Sequence, residues 1–181
     1  LVETAMESIK AMDTPAVVHD ICTGTGCIPI TLKYYLPYIQ VSASDICEKV
    51  AAVFRENAER HLSVVPPFFV SNLFDNITGR FDIITANPPY LQKEEIQHML
   101  SINWPEPIVA LDGGEDGLDF YRDIIQKAPQ RLKDDGLLIM EAAYWQMSEL
   151  KLLMEQAQYS DIIIRKDLGG RERVILGTRP K

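Results

Sequence analysis

The residues with the clearest chemistry follow a predicted buried strand that ends at Ala86. They are Asn87-Pro88-Pro89-Tyr90. Proline has no backbone N–H and cannot donate to a sheet ladder, so the Asn87 side-chain oxygen and the Pro88 carbonyl are two free acceptors. Together they can accept hydrogen bonds from both N–H groups of a planar –NH2 group, while Pro89 restricts Pro88 to extended backbone. Tyr90 can pack on the planar group or lie near the electron-poor methyl group that the planar group attacks.

This pattern predicts Asn87, Pro88 and Tyr90 as catalytic residues, and residues 87–90 as the substrate-binding segment. Positioning and desolvation would then do most of the catalysis, because a well-held nitrogen that attacks a methyl group in line needs no strong base. The alternative is a cis-proline or a merely rigid loop.

A second group of residues surrounds the turn Thr23-Gly24-Thr25-Gly26, between a predicted strand and a predicted helix. Pro29 stands where a dinucleotide-binding GxGxxG motif needs its third glycine. S-adenosylmethionine has no pyrophosphate and fits better: Asp20 can orient its ammonium group, directly or through water. Asp45, 21 residues beyond Gly24, can accept both ribose hydroxyls. Taken alone, the turn could be only a turn, and Asp45 could be a helix cap.

Asn72 and Leu73 follow the third predicted strand and can bind an adenine. The Asn72 amide can accept a hydrogen bond from the exocyclic amine of the adenine, and Leu73 can cover the face of its ring. Asn72 could equally be a simple turn residue. The predicted cofactor-binding set is Asp20, Cys22, Thr23, Gly24, Thr25, Gly26, Asp45, Asn72, Leu73 and Asn87.

The elements that must position these residues alternate between strand and helix, which predicts a doubly wound α/β sheet. Helices are predicted at residues 1–12, 27–36, 48–61, 118–132 and 147–158. Strands are predicted at residues 16–22, 41–44, 68–71, 81–86, 136–141, 161–166 and 173–177. The stretch between residues 91 and 117, rich in proline and glycine, is predicted as a loop. Seven mostly parallel strands that end in an antiparallel hairpin resemble the class I methyltransferase (Rossmann-like) fold, here as a single domain over residues 1–181.

Composition narrows the function. The chain has 181 residues, 46% of them hydrophobic, and a net charge of −8. The negative charge disfavours a domain that grips nucleic acid through phosphates. Neither a transmembrane run nor a signal peptide is evident, and three cysteines suit a reducing cytoplasmic setting. No metal site is predicted, since the spacing of the cysteines and histidines does not match a zinc motif.

Two further segments, PIVALDGGEDGLDFYR at residues 107–122 and DLGGRER at residues 167–173, narrow the resemblance. With Asn-Pro-Pro-Tyr they resemble the HemK/PrmC family, which methylates the glutamine of the GGQ loop in peptide-chain release factors. The resemblance runs from about residue 15 to the end of the chain. It implies S-adenosylmethionine as cofactor, a release factor as protein partner, and Asn87 with Pro88 as the holders of the glutamine amide. Locally, Asp116 is expected to cap the helix that follows it.

The family usually carries a small N-terminal helical domain that helps to dock the release factor, and that domain is expected to be missing before Leu1. Cys22 stands where a glycine is common, and Asn72 where an acid is common. Two other functions stay open. An adenine or cytosine amino-methyltransferase acting on DNA shares the Asn-Pro-Pro-Tyr chemistry, and a non-catalytic nucleotide-binding module would bind cofactor without transfer.

Overall fold

The computed structural model describes residues 1–180. Its α-helices are α1 Val2–Lys10, α2 Cys27–Tyr35, α3 Val50–His61, α4 Lys93–Ser101, α5 Asp119–Lys127 and α6 Met147–Gln156. Its strands are β1 Val17–Ile21, β2 Gln40–Asp45, β3 Phe68–Val70, β4 Phe81–Ala86, β5 Leu132–Glu141, β6 Ser160–Lys166 and β7 Glu172–Thr178. Short 3-10 helices cover Ile108–Ala110, Ala128–Gln130 and Tyr144–Gln146.

The seven strands form one sheet in the order β3-β2-β1-β4-β5-β7-β6. Strands β1 to β5 run parallel, whereas β7 is antiparallel to both of its neighbours. The predicted fold, a mostly parallel sheet with an antiparallel C-terminal hairpin, is confirmed. Because β1 to β4 are parallel, their carboxyl ends and the residues that follow them meet at one edge of the sheet.

Helices cover both faces of the sheet. On one face, α1 and α2 bury Ile9 and Leu32 against β1, and on the other, α5 and α6 bury Ile124 and Met154. A strand between two helical layers is normally apolar throughout. The departures in β1 are two consecutive buried polar residues, His19 and Asp20.

His19 is accommodated by two hydroxyls and a ring. Its Nδ1 lies 2.8 Å from Ser42 Oγ and its Nε2 lies 3.0 Å from Ser44 Oγ. Its ring stacks on Phe81 with centroids 4.7 Å apart. Burial lowers the pKa of His19 to about 4, so at neutral pH the ring is uncharged. It therefore has a structural role.

The region predicted as a loop after Tyr90 contains a helix, α4. Its start is one half of a capping box, in which the Gln92 backbone N–H donates to Glu95 Oε2 at 2.9 Å. The sequence prediction was wrong here because the box begins with glutamine rather than serine or threonine. The prolines and glycines further along also dominated the composition of the segment.

The predicted helix at 118–132 was too long. Helix α5 ends at Lys127, and a 3-10 turn containing Pro129 follows it. Proline removes a helical hydrogen bond and clashes with the preceding turn. Strand β5 then begins at Leu132, four residues before the predicted start, and its pairing with β4 is irregular near Phe81.

Among residues 1–180, the longest apolar helical stretches fall short of what a membrane crossing requires.

Candidate active site

A cleft of about 220 Å³ opens at the carboxyl edge of the sheet. It is lined by Cys22, Gly24, Asp45, Ile46, Cys47, Val50, Ser71, Asn72, Leu73, Asn87, Pro89, Pro107, Val109, Ala110 and Phe120. Segments that follow β1, β2, β3 and β4 all contribute, because parallel strands deliver their ends to the same edge. The structure therefore brings together seven of the predicted site residues: Cys22, Gly24, Asp45, Asn72, Leu73, Asn87 and Pro89.

The Asp45 carboxylate joins the ends of β1 and β2. Its Oδ2 accepts a hydrogen bond from the Gly24 backbone N–H at 2.9 Å, and its Oδ1 accepts one from the Cys47 N–H at 2.9 Å. The second bond closes a local turn, but Asp45 does not cap a helix, since α3 begins at Val50 with Lys49 as its N-cap; the helix-cap alternative is wrong. The first bond is the long-range one, and it holds the carboxylate beside the glycine turn in the cleft wall.

Asp20 lies behind the cleft rather than in its wall. It is fully buried, and its Oδ1 accepts a hydrogen bond from Thr85 Oγ1 at 2.6 Å. Its Oδ2 and the nearby Thr23 Oγ1 are buried without a partner in the described part of the chain. Burial raises the pKa of Asp20 to about 7, and the nearby Thr23 and Thr85 hydroxyls offset only part of that rise.

Two residues other than glycine adopt left-handed backbone in the cleft wall. Cys22 has φ +55° and Leu73 has φ +48°. The left-handed region costs an L-residue roughly 1–2 kcal/mol, and such strain tends to occur at functional sites. The backbone at Cys22 also explains why a glycine would be common at this position. Cys22 is half-buried, and burial raises the pKa of its thiol far above the usual range.

The Asn-Pro-Pro-Tyr segment starts directly after β4. Asn87 is exposed in the cleft, Pro88 and Pro89 are buried, and Tyr90 is half-buried. Within residues 1–180, neither the Asn87 side-chain amide nor the Pro88 carbonyl has a hydrogen-bond partner. All peptide bonds of the described residues are trans, so the cis-proline alternative is wrong and the rigid-loop alternative stays open.

Six predicted site residues do not line the cleft: Asp20, Thr23, Thr25, Gly26, Pro88 and Tyr90. Thr25 is exposed, and its carbonyl accepts a hydrogen bond from Asn57 Nδ2 at 3.0 Å. The Tyr90 ring packs against the main core. Roles for these six residues therefore stay predictions, and contact with a bound cofactor is not evident for them.

Sequence reasoning missed eight of the lining residues: Ile46, Cys47, Val50, Ser71, Pro107, Val109, Ala110 and Phe120. Ile46 could have been predicted from the sequence, because it directly follows Asp45 at the end of a predicted strand. Pro107, Val109 and Ala110 come from the segment after α4, at the 3-10 helix Ile108–Ala110. Their place over the cleft depends on tertiary packing, so sequence spacing carried no signal for it.

The Gly-rich segment after α4 is fixed by Asp116. Its Oδ1 accepts a hydrogen bond from the Leu118 backbone N–H at 3.1 Å, one residue before α5 begins. Its carboxylate also pairs with the Arg122 guanidinium. Asp116 therefore fixes the turn before α5, but the N-cap is Leu118 and has no side-chain capping bond, so the expected capping role of Asp116 is not confirmed. No cluster of three or more His, Cys, Asp or Glu side chains arranged for a metal occurs within residues 1–180.

The strand order, the single antiparallel strand and the cleft at the carboxyl edge define the class I methyltransferase fold. Comparison with known proteins is consistent with this. The profile of the family described as "Methyltransferase small domain" matches residues 4–104. The chain belongs to that family.

Three relatives are informative. The release factor glutamine methyltransferase of Geobacter sulfurreducens is 35% identical over 173 residues, which is 94% of this chain and 61% of that protein. The ribosomal protein uL3 glutamine methyltransferase of Xanthomonas campestris is 38% identical over 137 residues, 75% of this chain and 44% of that protein. The crystal structure of the release-factor-specific protein-(glutamine-N5) methyltransferase of Alicyclobacillus acidocaldarius superposes with a TM-score of 0.59 at 25% identity. That comparison covers 99% of this chain and 90% of the solved one. The chain thus spans less than two thirds of the Geobacter protein's length.

Proposed function

We propose that this chain is the catalytic domain, over residues 1–181, of an S-adenosylmethionine-dependent enzyme that methylates the side-chain amide nitrogen of a protein glutamine. The observation that carries the proposal is the Asn87 amide, exposed in the cleft and without a protein partner in the described residues. It lies in the same cleft wall as the Asp45 carboxylate and the Gly24 turn. A free amide acceptor beside a candidate cofactor pocket is what a planar nitrogen substrate requires.

The residues fit the cofactor. The position of a Cβ on Gly24 has no protein atom within 4 Å, so the turn leaves open space where the cofactor would lie. We assign the cofactor to the Gly24 turn, Asp45 and Leu73, with Asp20 acting from behind the turn.

S-adenosylmethionine supplies an electrophilic methyl group when it is bound. The chain's own residues orient the nucleophile. Asn87 Oδ1 and the Pro88 carbonyl accept the two N–H bonds of the glutamine amide, turning its nitrogen toward the cofactor pocket. Their oxygens also stabilise the positive charge that grows on the nitrogen, and one of its protons then leaves to solvent. Removal of one preorganised hydrogen-bonding group that stabilises a transition state lowers kcat by about 10²–10³-fold.

The glutamine of a release factor GGQ loop is the target we favour. The Geobacter and Alicyclobacillus proteins carry that activity in their names, and the resemblance of residues 107–122 and 167–173 points the same way. Release factors act on cytoplasmic ribosomes, so a cytoplasmic location accompanies this proposal. A glutamine of ribosomal protein uL3 is the second candidate, supported by the Xanthomonas relative.

The test is to incubate the chain with isotope-labelled S-adenosylmethionine and three acceptors in parallel: a release factor, ribosomal protein uL3 and duplex DNA. Peptide mass spectrometry should find one labelled methyl group on the GGQ glutamine. A release factor whose GGQ glutamine is replaced by glutamate serves as the matched control and should gain no label. Label on uL3 alone would move the target to that protein. Label on DNA alone would reject protein glutamine as the substrate.

A further inference from the structure

The backbone that leaves the Asn-Pro-Pro-Tyr segment is bound to the Gly-rich segment that follows α4. Leu91 and Asp112 form an isolated parallel bridge. The Leu91 N–H donates to the Leu111 carbonyl at 2.9 Å, and the Gly113 N–H donates to the Leu91 carbonyl at 2.9 Å. The end of the segment at Tyr90 is therefore held close to residues 111–117.

One buried side chain links these parts. Gln146 is 3% exposed. Its Nε2 donates to the Tyr90 carbonyl at 3.2 Å and to the Gly117 carbonyl at 2.9 Å, while its Oε1 accepts from the Ala143 N–H at 3.2 Å. A primary amide has two N–H donors and one acceptor oxygen, and all three groups are used. A carboxylate at this position would set an oxygen against two carbonyls.

Two glycines make room for this arrangement. A Cβ on Gly117 would lie 2.4 Å from the Tyr90 carbonyl oxygen and 2.8 Å from Gln146 Nε2. A Cβ on Gly113 would lie 2.8 Å from Tyr90 Cα. These three distances are too short for any side chain, so the close approach of the two backbones requires glycine at both places.

We infer that Gln146 is a positioning residue for amide methylation: it anchors the Tyr90 carbonyl and so sets the direction of the Pro88 carbonyl and the Asn87 side chain. The inference rests on the proposed function. Residues 87–90 are fixed at one end by β4, where Ala86 pairs with Ile21 and Met140. Gln146 fixes the other end.

The two prolines transmit this anchoring. Each pyrrolidine ring locks its own φ near −65°, so few torsions remain free between the Tyr90 carbonyl and the Pro88 carbonyl. An error of about 1 Å in the position of a reacting group can cost about 10²-fold in rate. Loss of the anchor should therefore lower turnover and leave the cofactor pocket, built by the other strand ends, largely unaffected.

The test compares Gln146→Met with Tyr159→Phe. Methionine keeps the approximate volume of glutamine but leaves the Tyr90 and Gly117 carbonyls without a donor. Tyr159→Phe removes another buried side-chain bond to a carbonyl, from Tyr159 Oη to the Ile125 carbonyl at 3.0 Å, outside the cleft lining. Three quantities are measured on the full chain. They are kcat with the release factor as substrate, the Kd for S-adenosylmethionine, and the rate of amide hydrogen exchange at Leu91 and Gly113.

We expect Gln146→Met to lower kcat by about 10- to 100-fold, change the cofactor Kd less than about threefold, and speed exchange at Leu91 and Gly113. Tyr159→Phe should keep kcat within about twofold. In an Asn87→Ala background, Gln146→Met should cost much less than in the wild type, because both changes act on one alignment. Equal kcat losses in Gln146→Met and Tyr159→Phe, or full additivity with Asn87→Ala, would overturn the inference.

The proposed function can fail separately. If the wild-type chain transfers no methyl group to any glutamine, the function is rejected. The anchor is then judged by exchange alone: faster exchange at Leu91 and Gly113 in Gln146→Met than in Tyr159→Phe supports it, and equal exchange rejects it.

Discussion

The Asp45 carboxylate is hydrogen-bonded to the Gly24 backbone N–H across the ends of two neighbouring strands, with 2.9 Å between Oδ2 and N. This bond connects the two features that the sequence predicted as halves of one cofactor site. It also means that Asp45 acts on the turn and on the proposed ribose contact at the same time.

Replacement of Asp45 should therefore weaken cofactor binding. A hydrogen bond to a charged group contributes about 1.5–3 kcal/mol, so we expect Asp45→Ala to raise the Kd for S-adenosylmethionine by about 10- to 100-fold in calorimetry. Asp75→Ala removes an exposed carboxylate that does not line the cleft and should leave the Kd unchanged. Equal affinities in both variants would show that Asp45 is only a turn residue.

The neighbouring residues His19 and Asp20 of β1 should make opposite contributions to the pH dependence of stability. Burial raises the pKa of Asp20 from 3.8 to about 7, so between those values the folded protein holds a proton that the unfolded chain has lost. The free energy of unfolding then falls as pH rises, by up to about 1.4 kcal/mol per pH unit. Burial lowers the pKa of His19 from 6.5 to about 4. Between about pH 4 and pH 6.5 it is therefore the unfolded chain that holds the extra proton, on His19, so this contribution makes the free energy of unfolding rise with pH.

The two slopes oppose each other between about pH 4 and pH 6.5. Asp20→Asn preserves an acceptor for Thr85 and removes the Asp20 contribution, which lowers the free energy of unfolding as pH rises. The free energy of unfolding of this variant should therefore increase with pH over this window, relative to that of the wild type. His19→Gln should show the reverse trend. Urea denaturation at pH 4.5, 5.5 and 6.5, without cofactor, measures both. Parallel curves for Asp20→Asn and the wild type would show that Asp20 is ionised in the folded protein.

The left-handed backbone at Cys22 makes a prediction about side-chain shape. A β-branched residue is a severe outlier at positive φ, so Cys22→Val should lower the free energy of unfolding by about 2 kcal/mol or more. Cys22→Gly should change it by less than about 1 kcal/mol, because relief of strain offsets the lost packing of the thiol. Cys27→Val, at an exposed helical position, is the control and should stay within about 0.5 kcal/mol. Equal stability of the Cys22→Val and Cys27→Val variants in urea would argue against strained backbone at residue 22.

Gly117 and Gly170 offer a matched pair for the contact with Tyr90. Both have φ between +70° and +80°, but only at Gly117 would a Cβ meet other atoms, among them the Tyr90 carbonyl oxygen. Gly117→Ala and Gly170→Ala should share the backbone cost of about 1 kcal/mol. Gly117→Ala should add a further loss of about 1–3 kcal/mol from overpacking. Thermal unfolding of both variants measures the difference, and similar melting temperatures would contradict the close approach.

Much of this fold was predictable because its signals are local. Strand β4 was bounded correctly, since an apolar run there meets two prolines, and the alternation of strands and helices fixed the parallel sheet. Helix α4 was missed because its capping box begins with Gln92 and the surrounding prolines and glycines outweighed it. Helix α5 was extended past Lys127 because the effect of Pro129 on the preceding turn was not weighed.

The site was predictable only where chemistry follows directly from a strand end. Asp45 and Asn87 were found on that basis, and both line the cleft. Asp20 was expected at the cofactor but does not line the cleft, because it lies within β1 rather than after its end and is fully buried. Gln146 was missed altogether, since its three partners are up to 56 residues away in sequence and come together only in the folded chain.

The central claim is that the Asn87 side chain orients the planar nitrogen of the substrate, and that this role outweighs its predicted contribution to cofactor binding. The most direct measurement is the pair of kcat and cofactor Kd for Asn87→Ala, with Asn72→Ala as the comparison. The account predicts that Asn87→Ala binds S-adenosylmethionine within about threefold of the wild type and transfers methyl groups at least about 100-fold more slowly. Asn72→Ala should weaken cofactor binding and keep kcat. Near-normal kcat in Asn87→Ala would contradict the account.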